Sequence, residues 1–183
     1  MLFSLAAFCF LVNADAGANT GGAERKLLEI LHDERNWVDP SKEKGLLLVL
    51  EGAKLLRAKS CISVLLKHLT YSPPSLAGSI SLVPVNMWYP VYDTLPAIGL
   101  PAVQPLLDEL RITDPVVRFG DKNLGENERK HTLIISCLIK IYDQGGHGRE
   151  LTRARIELEI KKYPAKEVEF LESALETKWL RND

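Results

Sequence analysis

Several side chains in this sequence are of types that catalyse reactions or bind metals, but their spacing matches no catalytic or metal motif. The four histidines are His32, His68, His131 and His147. No two of them are three or four residues apart, and no HExxH motif occurs. We therefore predict solvated or capping histidines and no metal site, although a single histidine could join a site built from distant segments.

Two loops resemble ligand-binding motifs only in part. DKNLGENERKHT (121–132) begins like a calcium loop, but Gly125 and Thr132 stand at positions five and twelve, so the turn glycine and the bidentate glutamate are missing. Weak calcium binding through Asp121 and Glu126 stays open. GGHGRE (145–150) lacks the Lys-Ser/Thr of a phosphate loop and no strand precedes it. We predict a helix linker there, and no cofactor.

The cysteines are the remaining candidate nucleophiles, since no G-x-S-x-G or S-x-x-K motif occurs. Cys61 shares a helical face with Leu65, and Cys137 shares one with Ile134, Leu138 and Ile141. Both spacings are typical of thiols buried in helix packing. We therefore predict no catalytic residue.

The first sixteen residues resemble a secretory signal peptide. Leu2 to Val12 is almost wholly apolar, and Ala14-Asp15-Ala16 is a small-x-small cleavage pattern. This predicts an exported protein, periplasmic or extracellular, with a signal peptide at 1–16, a flexible leader at 17–23 and a folded domain at 24–183. The alternative is a buried N-terminal helix.

The composition narrows the class of partner. The chain has 183 residues, 46% hydrophobic and 26% charged, which is an ordinary globular composition. Without Asp15, 23 basic side chains face 23 acidic ones, and no basic cluster favours nucleic acid. The longest internal apolar run, LLLVL, is too short to span a membrane. A protein partner is the remaining expectation.

Helical periodicity dominates the folded domain. The patterns predict about seven helices, within 24–35, 42–69, 89–111 and 126–143 and in a charged C-terminal hairpin, with a break near Ala58-Lys59. Asp39-Pro40 is typical of a cap followed by a first helical residue. Residues 71–86 and 112–125 read as long loops, the first with a brief strand at Ile80 to Val85. The fold class predicted is all-α.

A shift of 41 residues superimposes two of these helical segments. Cys61-Ile62 falls on Ala102-Val103, Leu65-Leu66 on Leu106-Leu107, and Leu69 on Leu110. Paired helices repeated every 40–47 residues or so are typical of HEAT and armadillo arrays. The prolines fit this scheme, since Pro90 and Pro101 fall at helix starts and only Pro96 falls inside a helix.

The segment AIGLPAVQPLLDEL (97–110) resembles the repeat core of HEAT-like proteins. The matching positions are Ala97, Ile98, Gly99, Pro101, Ala102, Val103, Pro105, Leu106, Leu107 and Leu110. The resemblance implies a short α-solenoid, a right-handed stack of about three HEAT-like helix pairs, with a loop insertion at 71–86. It implies binding as the usual role and carries over no catalytic residues.

The candidate binding residues are polar side chains on the second helix of each pair. Gln104, Asp108 and Arg111 form one stripe, and the 41-residue shift aligns Ser63, Lys67 and Thr70 with them. Second helices line the concave face of HEAT-like arrays, so these positions could form a groove. A plain solvated face is the alternative. Trp88 and Tyr89 add aromatic side chains beside the insertion, either packed beneath it or contacting a partner.

These observations predict an exported, non-enzymatic interaction module that binds a protein through its helical surface. The alternative is an enzyme or an accessory subunit with a site rimmed by loops 71–86 and 112–125. That function would require Asp93, Asp121, Glu126 and His131 to cluster in a cleft. A structural subunit of an envelope assembly, associating through the Trp179-Leu180 region, is a third hypothesis.

Overall fold

The computed structural model describes residues 20–77, 84–110 and 125–144. All regular elements in these ranges are helical and none is a strand, so the predicted all-α class is confirmed there. The predicted signal peptide, residues 112–124 of the predicted loop at 112–125, Arg111 and the predicted C-terminal hairpin lie outside the described residues. In the described part of the chain, no helix has both the length and the apolar character to cross a bilayer.

The chain divides into two compact units, Met1–Ile98 and Gly99–Asp183. The described helices of the first unit are α1 (Thr20–His32), α2 (Arg35–Val38), α3 (Glu43–Leu56), α4 (Ile62–Lys67), α5 (Val85–Trp88) and α6 (Val91–Ile98). Short 3₁₀ turns occupy Pro40–Lys42, Lys59–Cys61 and Pro74–Leu76. The described helices of the second unit are α7 (Val103–Leu110) and α8 (Glu126–Asp143), with a 3₁₀ turn at Leu100–Ala102.

The core of the first unit lies around α3, which packs against both α1 and α6. Leu46, Val49, Leu50 and Ala53 recur at helical spacing and are all buried, which explains why this segment forms an amphipathic helix. Helix α4 packs against α1 and α6 as well, and its Leu65 is completely buried. Each such leucine stabilises the unit by about 1.5–3 kcal/mol through removal of apolar surface from water.

The second unit packs α7 against α8. Leu106 and Leu107 of α7 and Ile134 and Leu138 of α8 are almost completely buried. Cys61 in the first unit and Cys137 in α8 are also buried, as the helix-packing prediction required.

Two of the predicted helix boundaries have a visible physical cause. Asp39 accepts hydrogen bonds from the Ser41 amide at 2.9 Å and the Ser41 hydroxyl at 2.7 Å, and Pro40 occupies the first position of the turn. The predicted Asp39-Pro40 cap is therefore confirmed. The break near Ala58-Lys59 is also confirmed, because α3 ends at Leu56 and Arg57 adopts a left-handed conformation with φ of 49°.

The end of α3 is closed without a glycine. The Ala58 amide donates to the Ala53 carbonyl at 3.0 Å and the Arg57 amide to the Lys54 carbonyl at 3.2 Å, the two hydrogen bonds of a Schellman motif. Gly99, which follows α6, has φ of 81°. Arg57 is thus the one described non-glycine residue in this conformation, which glycine adopts at lower cost.

Three local predictions are corrected. Helix α1 begins at Thr20, so the end of the predicted flexible leader is helical despite its two glycines. The predicted 24–35 helix stops at His32, because Asp33 binds the Arg35 amide and guanidinium and helps to close a turn before α2. Val85 lies in α5 and not in a strand, since Pro84 accepts the Met87 and Trp88 amides. The rest of the predicted strand lies outside the described residues.

Candidate functional site

The predicted polar positions of α4 point to solvent. Ser63 and Lys67 are exposed, whereas Ile62, Val64, Leu65 and Leu66 are buried. Thr70, after the helix, is half-buried. The ammonium group of Lys67 donates a hydrogen bond to the Glu34 carboxylate in the turn between α1 and α2. Lys67 is therefore held in a defined position while most of its side chain stays accessible, at 63% exposure.

The predicted polar positions of α7 are arranged in the same way. Gln104 is half-buried and Asp108 is exposed, whereas Val103, Leu106, Leu107 and Leu110 are buried. The Gln104 amide donates a hydrogen bond to the Asp108 carboxylate at 3.0 Å. Both side chains present polar atoms on the side of the helix opposite its buried face. A shared groove with the α4 residues, and their role in binding, stay predictions.

A second polar contact of Glu34 was not predicted from the sequence. One carboxylate oxygen, Oε1, accepts from Lys67, and the other, Oε2, lies 3.5 Å from the His68 Nε2 atom. The pKa of Glu34 is lowered, chiefly because Lys67 donates a hydrogen bond to it, with a further contribution from the charge of His68. A single exposed carboxylate therefore faces two neighbouring basic side chains.

His68 is also part of an aromatic cluster. Its ring stacks on Trp37 with centroids 3.9 Å apart and planes 6° from parallel. Tyr71 meets the same indole edge-on at 5.2 Å, and the indole Nε1 donates to the Leu31 carbonyl at 2.8 Å. Burial raises the pKa of Tyr71, with a smaller contribution from the Glu43 charge. His68 is not solvated, since its side chain is only 14% exposed, but it stands at the C-cap position of α4, which is the other role predicted for the histidines.

Of the other two described histidines, one is exposed and one is buried. His32 is exposed at the end of α1, as predicted, whereas His131 is buried on α8. His131 was predicted to be solvated or a helix cap, and this prediction is wrong because the residue is buried inside α8. It shares a helical face with Ile134, Ile135 and Leu138, a spacing that the sequence already contained. His147 lies outside the described residues.

The aromatic residues beside the insertion are partly accessible to solvent. Trp88 and Tyr89 are half-buried, and their neighbours Val85 and Met87 are 52% and 54% exposed. The sequence offered no sign of these two exposed apolar side chains, because a four-residue helix such as α5 is too short to define a buried face. Ser75 of the same insertion donates from both its amide and its hydroxyl to Glu43, which holds this part of the loop against α3.

The carboxylates considered for an enzyme have structural partners where they are described. Asp93 accepts a hydrogen bond from Lys54 at 2.7 Å, linking α6 to α3. The pKa of Lys54 is raised, chiefly by this hydrogen bond. Glu126 and His131 lie on α8, and Asp121 lies outside the described residues. Within the described ranges, no three His, Cys, Asp or Glu side chains are grouped closely enough to hold a metal ion.

Comparison with known proteins found no family model, no curated protein and no solved structure that matches this chain.

Proposed function

We propose that this protein is an exported, non-enzymatic interaction module that binds a protein partner through the outward-facing residues of a short HEAT-like solenoid. The proposal rests on one observation, the match between two helical segments. Each segment has a helix, a residue with positive φ, a 3₁₀ turn and a second helix in the same order. The 3₁₀ turns and second helices of the two segments start 41 residues apart, which is the interval of the sequence shift.

The burial pattern supports the same proposal. The five pairs of residues aligned by the shift are all buried, namely Cys61/Ala102, Ile62/Val103, Leu65/Leu106, Leu66/Leu107 and Leu69/Leu110. The aligned polar residues Lys67 and Asp108 are both exposed. Equivalent positions thus face inward in both segments, and equivalent positions remain accessible in both. This is the arrangement expected of repeated units that stack on neighbours and present one face to a partner.

The chemistry of binding would depend on preorganisation. Gln104 is hydrogen-bonded to Asp108 and is therefore ordered before a partner arrives. Side chains that are already ordered lose less conformational entropy on association, about 0.5–1.5 kcal/mol for each flexible side chain that is held beforehand. The accessible groups are one ammonium, one carboxylate and one amide, which suits a polar protein surface of mixed charge.

A capture experiment with matched variants tests the proposal. The full chain is immobilised and exposed to an envelope extract, and bound proteins are identified by mass spectrometry. The stripe variant carries S63W, K67E, Q104A, D108K and R111E. The control variant carries K44E and E29K, charge reversals at exposed positions of α3 and α1.

We expect a partner that the wild-type chain and the control capture and the stripe variant does not. Adding Trp88→Ser and Tyr89→Ser in a separate variant measures the aromatic contribution. A partner retained equally by all variants, or the absence of any partner, contradicts binding through these residues. Circular dichroism on each variant shows that the helices are intact, so that a loss of capture reports the surface and not unfolding.

A further inference from the structure

The Glu34 carboxylate in the first unit lies close to two basic side chains at the end of α4, Lys67 and His68. Glu34 Oε1 accepts the hydrogen bond from Lys67, and Glu34 Oε2 lies 3.5 Å from Nε2 of His68. A histidine can change its charge near neutral pH. The balance between the two contacts therefore depends on the protonation of His68.

The remaining charged groups on the elements packed against α4 are exposed or have partners of their own. Pairs are formed within α1 by Arg25 with Glu29, across the α1–α2 turn by Arg35 with Asp33, and between α3 and α6 by Lys54 with Asp93. Glu24 of α1 accepts from the Ser60 hydroxyl. The exposed side chains are Lys26, His32 and Lys59. Tyr71 and Trp37 are the aromatic neighbours. Glu34 Oε2 is thus a carboxylate oxygen close to the imidazole, at 3.5 Å from Nε2.

We propose that protonation of His68 strengthens its contact with Glu34 Oε2, and that the shared carboxylate then holds Lys67 less strongly, so that the Lys67 ammonium exchanges to a partner more readily. The proposal rests on the proposed function for the role of Lys67 as a binding residue. The exchange itself needs only the three side chains.

The geometry favours such an exchange for two reasons. A protonated imidazole adds a full charge at 3.5 Å from a carboxylate oxygen, and the stacked indole face of Trp37 attracts that charge as well. Lys67 is 63% exposed, so water replaces its hydrogen bond to Glu34 at little cost. By contrast, His68 is held in place by the stack and cannot move away without losing it.

The coupling between the two side chains is reciprocal. The charge of His68 is among the causes that lower the pKa of Glu34. A negative Glu34 must therefore favour the protonated imidazole by the same amount. Lys67, which also contacts Glu34, must oppose protonation of His68 by its own charge. The two neighbours thus act on His68 in opposite directions.

Histidine titration by NMR tests the exchange in the full chain without a partner. The Hε1 resonance of His68 is followed from pH 8 to pH 5 with ¹³C-labelled histidine and is identified by its loss in H68Q. We expect E34Q to move the midpoint down by about half a pH unit, a roughly threefold loss of proton affinity. K67Q should move the midpoint up. The matched control E29Q removes the carboxylate paired with Arg25 and should leave the midpoint unchanged.

An unchanged midpoint in both E34Q and K67Q overturns the proposal, as does a shift of the same size in E29Q. The ring-current shift that Trp37 imposes on the His68 resonance shows whether each variant keeps the stack. If E34Q loses the stack between Trp37 and His68, only the direction in which K67Q moves the His68 midpoint is used to test the proposal. Capture of a partner at pH 7.5 and pH 5.5 is measured separately. If His68 titrates as expected but capture of the partner does not depend on pH, the regulatory role of His68 is contradicted. If the stripe variant still captures the partner, the proposed function is contradicted.

Discussion

The first prediction concerns the two residues with positive φ, because both follow a helix but one is an arginine and the other a glycine. Arg57 ends α3 with φ of 49°, and Gly99 follows α6 with φ of 81° and ψ of −140°. An L-residue in the left-handed region costs about 1–2 kcal/mol relative to the right-handed one. A glycine at the same place avoids that cost but loses about 0.4–1 kcal/mol more conformational entropy on folding. Arg57→Gly should therefore stabilise the protein by about 0.5–1 kcal/mol.

The reverse substitution should be unfavourable. A Cβ at Gly99 meets nothing within 4 Å, so Gly99→Ala introduces no steric clash with neighbours. Its effect comes from the backbone conformation alone, which is one that side chains disfavour, and the expected destabilisation is about 1–3 kcal/mol. Arg57→Ala is the control for the lost arginine side chain, which is exposed. It keeps the strained conformation and should change the free energy of unfolding by less than about 0.5 kcal/mol.

Urea unfolding followed by circular dichroism at 222 nm measures all three variants, with comparison restricted to those that keep the wild-type denaturant slope. The expected order of stability is Arg57→Gly, then wild type and Arg57→Ala together, then Gly99→Ala. The reasoning is refuted if Arg57→Gly is no more stable than Arg57→Ala. It is equally refuted if Gly99→Ala unfolds at the wild-type urea concentration.

Four further predictions address the core, the charges and the leader. Leu65→Ala should destabilise by about 2–5 kcal/mol in urea unfolding, because the side chain is fully buried, whereas Leu55→Ala, at a position 61% exposed, should change stability by under about 0.5 kcal/mol. A double-mutant cycle of Lys54→Met and Asp93→Asn should give a coupling of about 0.5–1 kcal/mol, since both side chains are about a third exposed, and a coupling of zero would show that the pair contributes nothing. The hydrogen bond from Arg35 lowers the pKa of Asp33 to about 2, which is below the pKa of this carboxyl group in the unfolded chain. The stability that Asp33 contributes is therefore present above the unfolded pKa and is lost as pH falls towards 2. Asp33→Asn should remove that part of the acid sensitivity, and equal acid profiles of the variant and the wild type would contradict this prediction. Intact mass spectrometry of the protein purified from its native cells should show cleavage after Ala16, and a retained leader would instead favour the buried-helix alternative.

Much of the local structure of α3 and α4 could be predicted from the sequence, because it depends on residues near one another in the chain. Asp39 caps a turn two residues away, and Leu46, Val49 and Leu50 define a face within one helix. The break after Leu56 was also visible, although Arg57 gave no sign of its left-handed conformation. Such conformations are usually marked by glycine, and here the surrounding hydrogen bonds impose it on an arginine.

The Trp37–His68 stack could not be predicted in the same way. Its two rings belong to segments separated by all of α3, and each lies at the end of a short helix where periodicity is too brief to define a face. The ion pair between Lys54 and Asp93 is non-local for the same reason. A sequence shift aligns equivalent positions of two segments, but it contains no information about which side chains of different helices touch.

The comparison of α4 with α7 indicates where binding specificity would have to reside. The aligned inward residues are all apolar, from Cys61/Ala102 to Leu69/Leu110, so this common pattern maintains the packing. The aligned outward residues differ in size and sign, with Ser63 opposite Gln104 in the alignment and Lys67 opposite Asp108. Substitutions at the inward positions change the free energy of unfolding through cavities, whereas surface positions tolerate change with little effect on stability. The difference in charge between Lys67 and Asp108 can therefore serve the proposed recognition without loss of packing in either unit.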